Sequence, residues 1–309
     1  MTSDLLPPLP EGHTARPVVP TDLDAVLRVH GDSEVEDSGH LAIEPEDIAG
    51  DWARPSMDLA RDTVAVLDTE GVLVASAEVS RGGTHRDAAV HPKARGRGIG
   101  PYLVAWSEAR AAELGAATLG QSVPEGSSPH RFLEGLRYTV GHTSWVLELP
   151  EGREVAPRPL PPGYALGTGD TDERERVAYE VIQDAFDEWE GRVREPFEDW
   201  AATTVRRPGA QPWQLRVVEH EGAVVGAAFT ILDSQGSGYV HQLAVERSHR
   251  GRGLAQALLS DAFARARAEG ARRSELSTDS RTGALDLYLK VGMEVTQVWM
   301  HLVAALPRG

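Results

Sequence analysis

Two short stretches place glycine and arginine in a pattern suited to holding an anion. They are Arg95-Gly96-Arg97-Gly98-Ile99-Gly100 and Arg250-Gly251-Arg252-Gly253-Leu254-Ala255. Glycine lets backbone N–H groups approach a ligand with no Cβ in the way. A helical pattern follows each stretch at once: Leu254, Leu258, Leu259, Ala262 and Ala266 share one arc of a 3.6-residue period. The first turn of a helix leaves N–H groups unpaired and carries partial positive charge. The arginines add full charge, so the turn is an anion cradle whose usual occupant is phosphate. An apolar run precedes each cradle, ending in Val90 and Val245. The local order is therefore strand, basic glycine turn, helix. Neither stretch has the Gly-Lys-Ser/Thr of a P-loop or the glycine spacing of a dinucleotide fold.

Arg250 lies 155 positions after Arg95, about half of the 309-residue chain. A repeat of that length signals a duplicated domain rather than a solenoid. The expected organisation is a domain over 1–150, a proline-rich, extended and solvated linker over 151–163, and a second domain over 164–309. Each half reads as a short strand, two helices, a strand pair, the cradle strand and its helix, then strand, short helix and strand. The first helix is expected to end near Val29, ahead of an acidic stretch. Thr143–Leu149 and Val295–Val303 are expected to close the sheets of their own halves. The chain carries no cysteine, which excludes disulfides, thiolate metal sites and a cysteine nucleophile. A net charge of −16 disfavours a nucleic-acid partner. No apolar run reaches membrane-spanning length and no signal-like leader stands out, so a cytoplasmic protein is expected.

Arg95-x-x-Gly98-x-Gly100 and Arg250-x-x-Gly253-x-Ala255 match the R/Q-x-x-G-x-G/A signature of the GNAT superfamily of N-acetyltransferases. Over almost its whole length the chain resembles a tandem member of that superfamily. The resemblance implies an α+β fold of two GNAT-like domains. Each would be a mixed, mostly antiparallel sheet with flanking helices and a parallel strand pair that opens at the acyl-CoA site. It implies acetyl-CoA as co-substrate, held at Leu243, Ala244, Val245, Arg250, Gly251, Arg252, Gly253, Leu254 and Ala255. The equivalent coenzyme positions of the first half are Val90, Arg95, Gly96, Arg97, Gly98, Ile99 and Gly100. No metal is implied.

The implied reaction is acetyl transfer from a thioester to the primary amine of a small molecule, by direct attack in a ternary complex. The amine must lose a proton, the oxyanion needs a donor, and the thiolate must be protonated. Ala284-x-x-Leu287-Tyr288-Leu289-Lys290-Val291-Gly292-Met293 resembles the family stretch whose tyrosine faces the sulfur, which implies Tyr288 as the acid. The alternative is a core aromatic. His241 precedes Val245 by four on its strand; period two places it on the face of Leu243 and Val245. Histidine titrates near ~6.5 and suits a base; a structural histidine is the other reading. The Val245 N–H is the expected oxyanion donor. Arg281 stands where the family often has Asn, and a contact to a coenzyme phosphate is the role left to it.

In the first half Leu133 falls opposite Tyr288 and Arg86 opposite His241. That half is expected to be catalytically silent while keeping its cradle. Between the first two helices of the second half, Glu188 and Trp189 sit among Asp184, Asp187, Glu190 and Glu195, where an acceptor ammonium could meet charge and an aromatic face. A solvated acidic loop is the alternative. Two further functions remain open: a non-catalytic acyl-CoA sensor, and a protein or peptide N-acetyltransferase. The expected assembly is a monomer or homodimer.

Overall fold

A computed structural model describes residues 6–189 and 192–307. The chain separates into two compact units, Met1–Thr143 with Trp299–Gly309, and Ser144–Val298.

The elements of the first stretch are β1 (Thr14–Arg16), α1 (Leu23–Ser38), α2 (Pro45–Trp52), α3 (Leu59–Asp62), β2 (Thr63–Leu67), β3 (Leu73–Ser80), β4 (His85–Val90), α4 (Ile99–Glu113), β5 (Thr118–Pro124), α5 (Ser128–Gly135) and β6 (Thr139–Glu148). Then follow β7 (Tyr164–Thr168), α6 (Asp172–Phe186), α7 (Phe197–Thr203), β8 (Leu215–His220), β9 (Ala223–Leu232), β10 (Ser237–Val245), α8 (Leu254–Ala268), β11 (Arg273–Asp279), α9 (Leu285–Lys290) and β12 (Glu294–Ala305). In the first unit the strands run in the order β1-β2-β3-β4-β5-β12; in the second the order is β7-β8-β9-β10-β11-β6. β4–β5 and β10–β11 are parallel. The pairs β1–β2, β2–β3, β3–β4, β5–β12, β7–β8, β8–β9, β9–β10 and β11–β6 are antiparallel. This is the mixed α+β fold expected, in two domains.

Each sheet is packed on both faces. In the second unit α8 covers one face through Leu254, Leu258, Leu259, Ala262 and Phe263, which meet Val240, Val245 and Leu276. Helices α6 and α7 cover the other through Ile182 and Trp200 against Val217 and Phe229. The first unit repeats this with α4 on one face and α1 and α2 on the other. The apolar arc read on α8 is thus fully buried, as its period requires.

Two expectations about closure are corrected. Ser144–Glu148 of β6 pairs with β11, in the second unit. Trp299–Ala305 of β12 pairs with β5, in the first. Each unit therefore takes its last strand from the other half of the sequence. Alternation identifies a strand but does not name its neighbour, because pairing is non-local. The acceptor strand is shaped for the incoming one: a Cβ at Gly120 would lie 2.4 Å from His301 Nε2, so only glycine leaves that ring its place. His301 also stacks on His142 with centroids 4.4 Å apart.

Helix α1 continues through the acidic stretch to Ser38 instead of ending near Val29, and stops at Gly39 in the left-handed region (φ 74°). Gly31 does not break it, because that glycine packs against Leu41; a Cβ there would lie 2.9 Å from the Leu41 side chain. The 151–163 segment is not simply solvated either. Val155 is buried in the second unit's core. Gln256 Nε2 and Ser260 Oγ of α8 donate to the carbonyls of Ala156 and Val155.

The exchange of strands has a direct consequence. A chain ending at Val298 loses only residues that follow the second unit, yet β5 of the first unit loses its partner. Amide exchange should accelerate first in β5, and less in β11. Faster exchange confined to β10 and β11 would contradict the exchanged pairing.

Candidate functional site

The site is built on an interrupted strand pairing. β10 pairs with β11 from Ser237–Arg273 to Val240–Leu276, and β10 then runs on to Val245 without that neighbour. β4 and β5 pair only at His85–Gly120, while β4 runs on to Val90. Both units thus open a slot along the last residues of the strand that feeds the cradle. Backbone groups lining such a slot need partners from elsewhere. The N–H of Glu246 donates to Val225 of β9. Successive residues point their N–H groups to opposite strand edges, so the Val245 N–H is directed into the slot. His91 N–H donates to Val74 in the same way, which directs the Val90 N–H into the first unit's slot.

The first arginine of each cradle is committed to the fold. Arg250 Nε donates to Val245 O (2.9 Å) and Nη1 to Glu188 Oε2 (2.8 Å). Arg95 Nε donates to Val90 O (3.1 Å). Its two terminal nitrogens donate to the Asp37 carboxylate, and one also to Ser33 Oγ. These arginines occupy the slot-facing carbonyl and leave its N–H free. The charge of this first arginine is therefore already neutralised, and the turn's backbone with the second arginine remains as the donor surface. Gly96, Gly98, Gly251 and Gly253 all have φ between 74° and 92°, conformations that glycine adopts without strain. Gly98 and Gly253 are the N-cap residues of α4 and α8.

The cradles differ in what lies over them. A Cβ at Gly98 would meet nothing within 4 Å. At Gly253 it would lie 2.2 Å from Arg158 Nε, because the linker's guanidinium lies across that turn. Arg158 is exposed and makes no hydrogen bond or ion pair among the described residues. Arg252 Nη1 donates to Tyr164 Oη (3.0 Å), which also bonds His249 Nδ1 (2.8 Å). Arg158 of the linker and Tyr164 at the start of β7 thus both meet the second cradle, a placement that composition could not reveal. Ile99 and Leu254 are buried as the first helical residues, anchoring each cradle to its core; Arg97 is exposed.

Tyr288 lies on α9 in the buried cluster that also holds Val245, Leu254 and Leu276. Burial pushes its phenol up to about 12. His241 requires a correction of face. The pairing of β10 with β9 shifts between Val240 and Gln242, so His241 is the extra residue of a β-bulge and the two-residue period does not run through it. It is exposed, 6.2 Å from the Tyr239 ring. The β3–β4 pairing has no such shift at Arg86. Bulges re-aim side chains beside functional sites, and only an explicit register shows them.

Arg281 pairs with Asp279 (2.5 Å) and lies over Trp189, 4.6 Å from the ring centroid. Trp189 also stacks on Phe186 (4.7 Å). Glu188 is tied to Arg250, which holds its carboxyl below the usual range. Asp184 and Asp187 pair with Arg194, and Asp187 also with Arg192. The acids and the aromatic face expected for an ammonium are therefore engaged by the protein's own arginines. Glu190 lies outside the described residues.

In the first unit the slot is bridged. Arg86, buried (1% exposed), donates from Nε to Gln121 Oε1 (2.7 Å), and Gln121 Nε2 donates to Ala88 O (2.9 Å). Leu133 is buried where Tyr288 stands in the second unit. A cavity of about 430 Å³ extends from Arg95, Gly96 and Gly98 to Arg86, Gln121 and Leu133.

Residues 175–293 match the Acetyltransferase (GNAT) family. The matched stretch lies wholly within the second unit. Among solved structures, it resembles a GCN5-related N-acetyltransferase from Sphaerobacter thermophilus at 29% identity, covering 98% of both chains with a TM-score of 0.76. A tandem GNAT protein from the clavulanic acid biosynthesis pathway shares the fold at 18% identity, covering 96% of this chain and 99% of that one (TM-score 0.75). So does Saccharomyces cerevisiae N-myristoyltransferase with bound myristoyl-CoA, at 14% identity over 97% and 80% (TM-score 0.68). No curated protein sequence gives a significant match.

The two arginine pins differ in burial, which ranks them. Asp37 and Arg95 side chains are 7% and 21% exposed, whereas Glu188 and Arg250 are both 40% exposed. Asp37→Asn should destabilise the protein by about 1–3 kcal/mol, since it leaves a part-buried guanidinium short of its counter-charge. Glu188→Gln should change stability by less than about 1 kcal/mol. Urea unfolding followed by circular dichroism checks the ranking; the reverse order would remove burial as the deciding factor.

Proposed function

We propose that the second unit transfers an acetyl group from acetyl-CoA to the primary amine of a small molecule, by direct attack in a ternary complex. One observation carries this reading: β10 leaves β11 at Val240, so the Val245 N–H faces an open slot that ends at the glycine turn capping α8. A thioester laid along that slot would meet an N–H donor at its carbonyl and turn-backbone donors at its phosphates. Leu243, Ala244 and Val245 would line its arm, and Gly251, Arg252, Gly253, Leu254 and Ala255 its phosphate end. Arg158 adds a cation at the same turn. The GNAT-family match over residues 175–293 supports acyl transfer; the acetyl group and the small amine are the specific parts of the proposal.

Tyr288 is proposed as the group that meets the leaving sulfur. A thiol ionises near ~8.5, so complete proton transfer from a phenol at about 12 is uphill by roughly 5 kcal/mol. The phenol therefore acts first as a hydrogen-bond donor to the developing thiolate, and remains neutral at every ordinary assay pH. His241, re-aimed by its bulge, is proposed as the base that takes the amine's proton through water. Glu188 and Trp189 are proposed as a wall of the acceptor site. An ammonium could replace Arg281 on Trp189 only by drawing that guanidinium away from its place over the ring.

Thiol release from acetyl-CoA, screened against a library of small amines, tests the reaction. Tyr288→Phe should lower turnover roughly 10²-fold, as for loss of an acid. The factor should be the same at pH 7 and pH 9, because the phenol does not titrate between them. Turnover within about threefold of the parent would remove Tyr288 from the mechanism. His241→Ala should erase any rise of rate between pH 6 and 8; a limb that persists belongs to the amine or another group.

A further inference from the structure

The first unit's cavity holds a feature that acetyl transfer does not use. Arg86 is 1% exposed and lines the cavity. Its partners are all neutral: Gln121 Oε1, the Tyr138 hydroxyl (3.1 Å from Nη1) and the Tyr138 ring, 5.2 Å from the guanidinium carbon. Its buried Nη2 has no hydrogen-bond partner. Glu108 reaches it only through Tyr138, whose hydroxyl donates to Glu108 Oε1 (2.8 Å). The cavity's other arginine, Arg95, is fully engaged with Asp37. A buried cation with a free donor and no carboxylate in contact is unfavourable by several kcal/mol unless an anion completes it.

The position of that cation selects among anions. The cavity begins at the open Gly98 turn, follows the unpaired length of β4 past Val90 and Ala88, and ends at Arg86 and Gln121. Between these polar ends the lining is apolar: Ile99, Leu103, Val104, Phe132 and Leu133. Its volume of about 430 Å³ lies in the range of small-ligand sites. One molecule that satisfies both ends carries phosphate at one end, an apolar arm, and a second anion at the other. Leu133 offers no proton to a leaving sulfur and Arg86 cannot serve as a base, so a thioester placed here would be retained rather than consumed.

We infer that the first unit is a binding site for a coenzyme A thioester whose acyl group ends in a carboxylate, with Arg86 Nη2 as the carboxylate's partner. This rests on reading the Gly98 turn as a coenzyme cradle. The acyl-borne carboxylate follows from the continuity of the cavity with that turn.

The test uses the full chain carrying Gly253→Glu, which blocks the second cradle and leaves one coenzyme site. Calorimetric titration should show succinyl-CoA binding about 10- to 100-fold more tightly than acetyl-CoA, the range of a hydrogen bond to a charged group. Adding Arg86→Gln should reduce that ratio to below about threefold, and Arg86→Lys should restore part of it. If Arg86→Gln does not fold by circular dichroism, the Lys variant and the ratio in the Arg86 protein decide. Equal affinity for the two thioesters, or a preference that survives Arg86→Gln, would overturn the assignment. Free succinate that raises acetyl-CoA affinity to the succinyl-CoA level would assign the carboxylate to a separate ligand and also overturn it. Failure of any coenzyme to bind the Gly253→Glu protein, while the Gly98→Glu protein binds it, sinks this inference and leaves the proposed function standing. Failure in the Gly98→Glu protein, with binding kept in Gly253→Glu, sinks the proposed function instead.

Discussion

The constraint on which both units depend is the early end of one parallel strand pairing. A strand inside a sheet normally gives all its backbone groups to its neighbours. In each unit the cradle strand loses one neighbour before it ends, and several N–H and C=O groups are left facing a slot. The protein satisfies part of this demand itself. Arg95 and Arg250 fold back onto the slot-facing carbonyls of Val90 and Val245 and are held there by Asp37 and Glu188. The N–H groups and the glycine turns are left as donor surface. The donor surface proposed for a phosphorylated thioester is thus a consequence of sheet geometry more than of any single charged side chain.

From the same scaffold the two units diverge at three positions. The second has a bulge at His241, Leu276 where its parallel pairing ends, and Tyr288 in the core beside the slot. The first has regular pairing at Arg86, Gln121 bridging to Ala88, and Leu133. One arrangement presents groups that could move protons. The other presents a buried cation and an apolar wall, which suits holding an anion without reaction. The linker adds a further asymmetry, since Arg158 lies across the second cradle and the first is open.

The sequence by itself determined the repeated strand–turn–helix, because glycine at left-handed positions and a 3.6-residue apolar arc are local requirements that leave a local trace. It also placed Tyr288 on a short helix and Leu133 opposite it. What it could not determine was anything fixed by contacts distant along the chain. Ser144–Glu148 and Trp299–Ala305 read as strands, but pairing decides which sheet each completes. The bulge that re-aims His241 is invisible without the register against β9. Arg250 and Arg281 read as phosphate ligands from their charge. Only the fold brings Glu188 to Arg250 and Trp189 to Arg281. Arg86 read as a mere loss of a base; tertiary packing made it a buried cation at the end of a cavity. Conformational preference is written residue by residue, whereas pairing, charge compensation and burial exist only between residues that folding brings together.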